Sequence, residues 1–247
     1  MSGKIDISKL VDHVYIINLD HRTDRWEKIM EMLNRWVDSS SNSVSSGDRR
    51  GEWYERFSAC VPRLGETDPR YYKHYTINPK LQQDKTLLEK YLIGATGCKM
   101  SHVNIIKDAK RRGFKKILIL EDDACQPPGL SANKFLIHFR KMMGDLEGMN
   151  KPWWMCYLGG KNVGDYRMVG KKIAKITGIK TTHAYLIHHR CFDLVIDNMM
   201  LSGLEADVFY LKLHRMVDCF RVVPGLLIQR EDFSDILGKK VKYSKIN

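Results

Sequence analysis

The run KKILILEDDAC, residues 115 to 125, drives four consecutive apolar residues straight into three acids. A short apolar run rich in isoleucine and bounded by charge reads as a buried strand, with Glu121, Asp122 and Asp123 at its carboxyl end. Neighbouring carboxylates at the rim of a core are tolerated where a cation, a hydrogen-bonding ligand or solvent offsets their repulsion. If the strand geometry persists, Glu121 and Asp123 point to one side and Asp122 to the other. Hard carboxylate oxygens suit Mg2+ or Mn2+, and those ions suit a diphosphate. A strand that ends in a solvated, helix-capping acidic turn would carry the same letters.

The surrounding pattern says what kind of sheet this strand joins. HVYIINLD (13 to 20) reads as a second buried strand, followed by a helix on Trp26, Ile29, Met30, Leu33, Trp36 and Val37. Asp24 with Glu27 three residues later has the form of a capping box at its start. A flexible Ser-rich loop follows at about 38–51, and 57 to 84, with Pro62, Pro69 and Pro79, reads as an irregular connection. After Gly97 the spacing of Met100, Val103, Ile106 and Ala109 predicts a helix that Gly113 ends. Phe135, Leu136, Phe139, Met142, Met143 and Leu146 mark another, and WWMCYLGG (153 to 160) another strand. Strands alternating with helices predict one α/β domain over 1–247, with a largely parallel, doubly wound sheet. In such sheets ligands bind in the crevice outside the carboxyl ends of the strands, which is where the three acids fall.

Composition excludes several classes. At 43% hydrophobic and 28% charged residues, the chain is an ordinary globular one rather than a disordered one. No run approaches the roughly 18 apolar residues of a membrane span, and the start MSGKIDISKLVDH has no apolar core of signal-peptide type. The expected location is therefore the cytoplasm. Six cysteines, at 60, 98, 125, 156, 191 and 219, form no CxxC pair and read as buried free thiols. Cys98 and His102 share a helical face, but no third zinc ligand lies near them in sequence.

The net charge of +12 calls for an anionic partner: nucleic acid, an anionic membrane surface or a phosphorylated substrate. A nucleic-acid-binding module would need a zinc finger, an RNP-like aromatic pair or a GXXG clamp, none of which the sequence contains. Another carboxylate-metal enzyme of phosphoryl transfer would have the acids but lacks a GxxxxGK[ST] loop. The end of the chain, LGKKVKYSKIN, reads as a frayed basic tail, with peripheral membrane contact as the minor alternative.

Six segments in series sharpen this reading: YIINLDHRTDR (15 to 25), GATGCKMSH (94 to 102), LILEDDA (118 to 124), KTTHAYLIHHRCFDLVI (180 to 196), LEADVFY (204 to 210) and PGLLIQREDFSDI (224 to 236). In order and approximate spacing the chain resembles glycosyltransferase family 25, which includes lipopolysaccharide-type and collagen galactosyltransferases. The resemblance covers nearly the whole chain. It implies a GT-A-like fold, with a Rossmann-like, largely parallel sheet flanked by helices. It also implies a metal-dependent inverting transferase that moves a hexose, galactose before glucose, from a UDP-sugar to a hydroxyl of a glycan, lipid-linked saccharide or protein. One departure stands out: family members usually carry an acid and an apolar residue between the glycines of the second motif, where this chain has Ala95 and Thr96.

The resemblance also implies roles. Asp123 matches the last acid of the metal motif and would bind Mn2+ or Mg2+, with Glu121 and Asp122 holding ribose hydroxyls or metal-bound water. Arg22 and Arg25 could offer forked donors to the nucleotide or diphosphate, or be solvated residues of a helix start. Asn18 could touch a base or hold the turn after its strand. Ser101 and His102 could meet the nucleotide or be satisfied polar residues early on a helix beneath the sheet edge, and His183 is either a donor contact or a core histidine. Asp207 matches the family's later acid and is the candidate base, against the alternative of a helix-start cap. Asp232 and Asp235 stand next in line.

Overall fold

The computed structural model describes residues 7–36, 53–67, 83–234 and 239–241. The serine-rich stretch 38–51, Asp235 and the last six residues lie outside them.

The centre is an eight-stranded sheet. Numbered along the chain, its strands are β1 (His13–Asn18), β2 (Tyr54–Ser58), β3 (Lys116–Glu121), β4 (Met155–Tyr157), β5 (Tyr166–Met168), β6 (Ile173–Ile176), β7 (Ala184–His188) and β8 (Cys219–Val222). Their spatial order is β2-β1-β3-β7-β4-β8-β6-β5. Pairing is parallel at β1 with β2, β1 with β3 and β4 with β8, and antiparallel elsewhere. Only β7 and β6 therefore run against the common direction, and the fold is mixed α/β. The reversed β7 matters for the site, because its first residues lie beside the last residues of β3.

At β1 and β3 both faces of the sheet are buried, which is why these strands read as continuous apolar runs. Val14, Ile16, Leu118 and Leu120 pack on one side with Ile29 and Leu33 of α1 (Thr23–Asn34) and Phe135 and Phe139 of α3 (Ala132–Glu147). Tyr15, Ile17, Ile117 and Ile119 pack on the other with α2 (Lys85–Arg111), α4 (Phe192–Asn198) and α5 (Ala206–Leu213). Strand alternation thus sends Glu121 on toward α2 and Asp122 toward α1.

Several local expectations need correction. Helix α2 begins at Lys85, capped by Asp84, whose side chain accepts from the Leu87 amide at 3.0 Å. Gly97 lies inside it, where a Cβ would stand 2.2 Å from the Cys60 carbonyl oxygen. This glycine permits a backbone-to-helix approach rather than marking a start. The Asp24–Glu27 capping box does not form: Arg22 is the N-cap with no side-chain cap bond, and Asp24 instead accepts from Arg22 at 2.9 and 3.0 Å. Lys239–Val241, expected to fray, pairs antiparallel with Asp232–Ser234. Gly113, at φ 75°, ends α2 as its sequence position predicted. Among the described residues no helix is long and apolar enough to cross a membrane.

Candidate active site

A cavity of about 350 Å³ opens where β1 and β3 end, a size within the usual range for small-molecule sites. Its wall takes Asn18 from β1, the three acids after β3, Arg25 from α1, and Cys98, Ser101 and His102 from one face of α2. The 59–61 segment and Gln229 complete it.

The three acids part company here, because β3 stops at Glu121 and the chain turns. Asp122, 6% exposed, is fully engaged: Arg25 Nη1 donates to its Oδ1 at 3.0 Å and Asn18 Nδ2 to its Oδ2 at 2.7 Å. Glu121 Oε1 accepts from the Thr182 hydroxyl at 2.5 Å and lies 3.2 Å from His102 Nε2. Burial pushes its pKa up, but the hydrogen bond and charge of His102 together with the Thr182 bond outweigh this and hold it below the ordinary value. Asp123 has less support. Gln229 Nε2 donates to its Oδ2 at 2.9 Å, while Oδ1 is buried with no hydrogen-bond partner among the described residues. Burial and the adjacent charge of Glu121 push Asp123 up to about 7.

Asn18, Arg25, Ser101, His102, Glu121, Asp122 and Asp123 are thus brought to one cavity. Two of them are bound up in the frame. Asn18 donates to Asp122 and to the Arg22 carbonyl, and its Oδ1 accepts from Arg56 Nε at 2.8 Å. Ser101 Oγ donates to the Gly97 carbonyl at 2.7 Å and accepts from the Cys60 amide at 2.8 Å, clamping the 59–62 segment onto α2. Three other candidates stand off the cavity wall. Arg22 forks onto Asp24. His183, 1% exposed, is a core residue between Thr181 Oγ1 at 3.0 Å and the Leu227 carbonyl, and burial lowers its pKa. Asp207 sits in the first turn of α5, where Glu205 holds the N-cap position. Its Oδ2 accepts from the Thr181 amide at 3.4 Å, and burial outweighs the opposing charge of Lys180 and leaves its pKa raised. Thr181 itself has φ 75°, the one positive φ among the described non-glycine residues. A β-branched residue in that region is strained and needs its neighbours to hold it.

Gln229 and Thr182 were not among the sequence candidates. Gln229 reaches Asp123 because Ile228–Gln229 pairs antiparallel with Ala124–Cys125. Thr182 reaches Glu121 because β7 runs backwards past β3, as the bond from the Glu121 amide to the His183 carbonyl also records. Neither contact has a local signature.

Comparison with known proteins adds an independent line. Residues 11–147, more than half of the chain, match the family described as Glycosyltransferase family 25 (LPS biosynthesis protein). The chain is 30% identical over 157 residues to a human protein named "Inactive glycosyltransferase 25 family member 3", and 27% identical over 158 residues to "Procollagen galactosyltransferase 1-A" of Xenopus laevis. Each match covers 62% of this chain and 22% of the relative, so the chain spans about a fifth of the length of these proteins. A solved mannose-1-phosphate geranyltransferase from Thermus thermophilus aligns at a TM-score of 0.34 and 9% identity, over 56% of this chain and 51% of that one.

Proposed function

Because the chain belongs to glycosyltransferase family 25, we propose that it transfers a hexose from a UDP-sugar to an acceptor hydroxyl, with Mn2+ or Mg2+ as cofactor. The observation that carries this reading is Asp123. A buried carboxylate oxygen without a hydrogen-bond partner among the described residues, beside a second carboxylate and at the rim of a ligand-sized cavity, is a donor atom that suits a hard cation. The oxygen donor set of Asp123 and its neighbours fits such an ion. Bound there, a divalent ion would act as a Lewis acid toward the charge that grows on a departing diphosphate.

The chain's own side chains then divide the work. Arg25 and Asn18 lock Asp122, which fixes the turn that presents Asp123. His102 and Thr182 hold Glu121 as a carboxylate facing the cavity, suited to accept from ribose hydroxyls. Inversion requires the acceptor hydroxyl to lose its proton as it attacks from the face opposite the leaving group. Asp207, reached from α5 and not from the acid cluster, is the carboxylate proposed to take that proton. Burial raises its pKa, the direction that makes a carboxylate a stronger base.

Galactose is favoured as the sugar, with glucose next, since the matched Xenopus protein is named a galactosyltransferase. The acceptor class is a glycan, a lipid-linked saccharide or a protein hydroxyl. The human relative named inactive makes activity itself the thing to test. A screen of UDP-sugars with Mn2+, scored for both hydrolysis and transfer, should give turnover with UDP-galactose or UDP-glucose. Turnover with neither, in protein that binds UDP, would assign the chain to the inactive branch.

A further inference from the structure

We infer that Cys98, His102 and Glu121 form a second cation site, selective for thiophilic divalent ions such as Zn2+ or Co2+ and distinct from the hard-cation position at Asp123. Cys98 and His102 are one helical turn apart on the cavity face of α2, and Glu121 meets them from the end of β3. One ligand atom from each lies within 4.8 Å of the other two, a grouping of Cys, His and acid not repeated among the described residues. Tetrahedral bonds of about 2.0–2.3 Å to nitrogen, oxygen and sulfur place ligand atoms roughly 3.5 Å apart. The His102 Nε2 to Glu121 Oε1 distance is already 3.2 Å, so chiefly the Cys98 sulfur has to draw in.

The surroundings suit a cation. Burial, and then the negative field of Glu121, Asp207 and Asp123, holds the Cys98 thiol protonated; a bound ion reverses that balance. On binding, the S–H bond breaks and sulfur bonds the metal, Nε2 gives up the proton it shares with Glu121, and both protons pass to solvent. The resulting thiolate, the Glu121 carboxylate and a neutral imidazole leave a divalent ion uncharged overall. His102 must then bind through Nε2 and carry its proton on Nδ1. Tyr185 OH, 2.8 Å from Nδ1, can accept that proton's hydrogen bond while itself donating to Tyr210 OH at 3.0 Å. This is the orienting support that metal-binding histidines ordinarily have. All three ligands line the cavity, which supplies the path of entry and leaves a fourth position open. Sulfur and imidazole select zinc-like ions over Mg2+ and Mn2+.

The site does not require the chain to be an active transferase, so the test omits nucleotide. Titrating the metal-free protein with Co2+ should produce one equivalent of sulfur-to-cobalt charge-transfer absorption. That absorption should be lost in Cys98→Ser and kept in Cys60→Ser, Cys60 being the other cavity-lining thiol. Because Cys98→Ser could perturb folding, the unaltered protein provides a second reading. Crystals soaked in Zn2+ should show an anomalous peak within bonding distance of Cys98 Sγ and His102 Nε2. Absence of the absorption at millimolar Co2+, its persistence in Cys98→Ser, or a zinc peak at Asp123 alone would overturn the assignment.

Discussion

Asp207 offers the sharpest distinction between a chemical role and a structural one. As a holder of local geometry it supports the strained Thr181 backbone through one long bond, which an amide oxygen can also accept. As a base it needs its charge. Asp207→Asn should therefore leave UDP affinity and thermal stability near wild type while lowering the turnover number by about a hundredfold or more. Near wild-type turnover would leave Asp207 only its contact with Thr181. A second residue-scale prediction concerns His214, 3% exposed, whose Nδ1 accepts from the Ile179 amide and whose Nε2 faces Tyr157 OH at 2.9 Å. That arrangement wants a neutral ring, and burial lowers its pKa to about 4 from 6.5. Between those values the unfolded chain binds the proton and the folded one does not, so stability rises with pH. The contribution is full above about pH 6.5 and is lost as pH falls toward 4, amounting at most to about 3 kcal/mol. His214→Gln should flatten this part of the stability–pH curve in urea titrations; an unchanged slope would count against it. At this scale the sequence exposed the residues whose motifs are contiguous, such as Asn18 and the acids. Gln229 and Thr182, 106 and 61 residues from the acids they bond, had no local pattern to give them away.

Among the elements, two helical glycines should respond oppositely to the same change. Gly97 is pressed against the Cys60 carbonyl, where a Cβ would clash with backbone at 2.2 Å, whereas a Cβ on Gly144 of α3 meets nothing within 4 Å. Gly97→Ala must push the 59–62 segment off α2 and should cost about 2 kcal/mol or more. Gly144→Ala should stabilise by about 0.5–1 kcal/mol through helix propensity and a less flexible unfolded chain. Denaturant midpoints of the two variants check both signs. The same glycine explains a misplaced boundary: Gly97 ahead of a helical pattern looks like a helix start, and only the approaching carbonyl reveals why it lies mid-helix. Strands β1 and β3 and helix α3 were legible because core surrounds the strands and one clear face of the helix is apolar. Strand β2 was not, since as an edge strand it is nowhere fully buried and its YERFS sequence lacks an apolar run.

On the scale of the whole molecule, the alternation of strands and helices revealed the α/β class and the common direction of most strands, but not the reversal of β7 and β6. Nothing in a strand's own residues states which way its neighbour runs, since both faces are buried either way. Yet that reversal builds the site, by laying Thr182 and His183 beside Glu121. Charge tells a similar story at long range. A net charge of +12 draws an anion toward the molecule, but at the cavity a diphosphate would meet Glu121, Asp122 and Asp123, of which Asp122 is the one ion-paired directly with Arg25 among the described residues. A cation between phosphate and Asp123 resolves that conflict. Calorimetric titration of UDP, with Mn2+ and with chelator, tests this without requiring turnover. Chelation should weaken UDP binding at least about tenfold, and Asp123→Ala should bind as weakly with Mn2+ as the unaltered protein does without it. Equal UDP affinity in the presence of Mn2+ and of chelator, or an Asp123→Ala variant that still responds fully to Mn2+, would contradict a metal-bridged donor site.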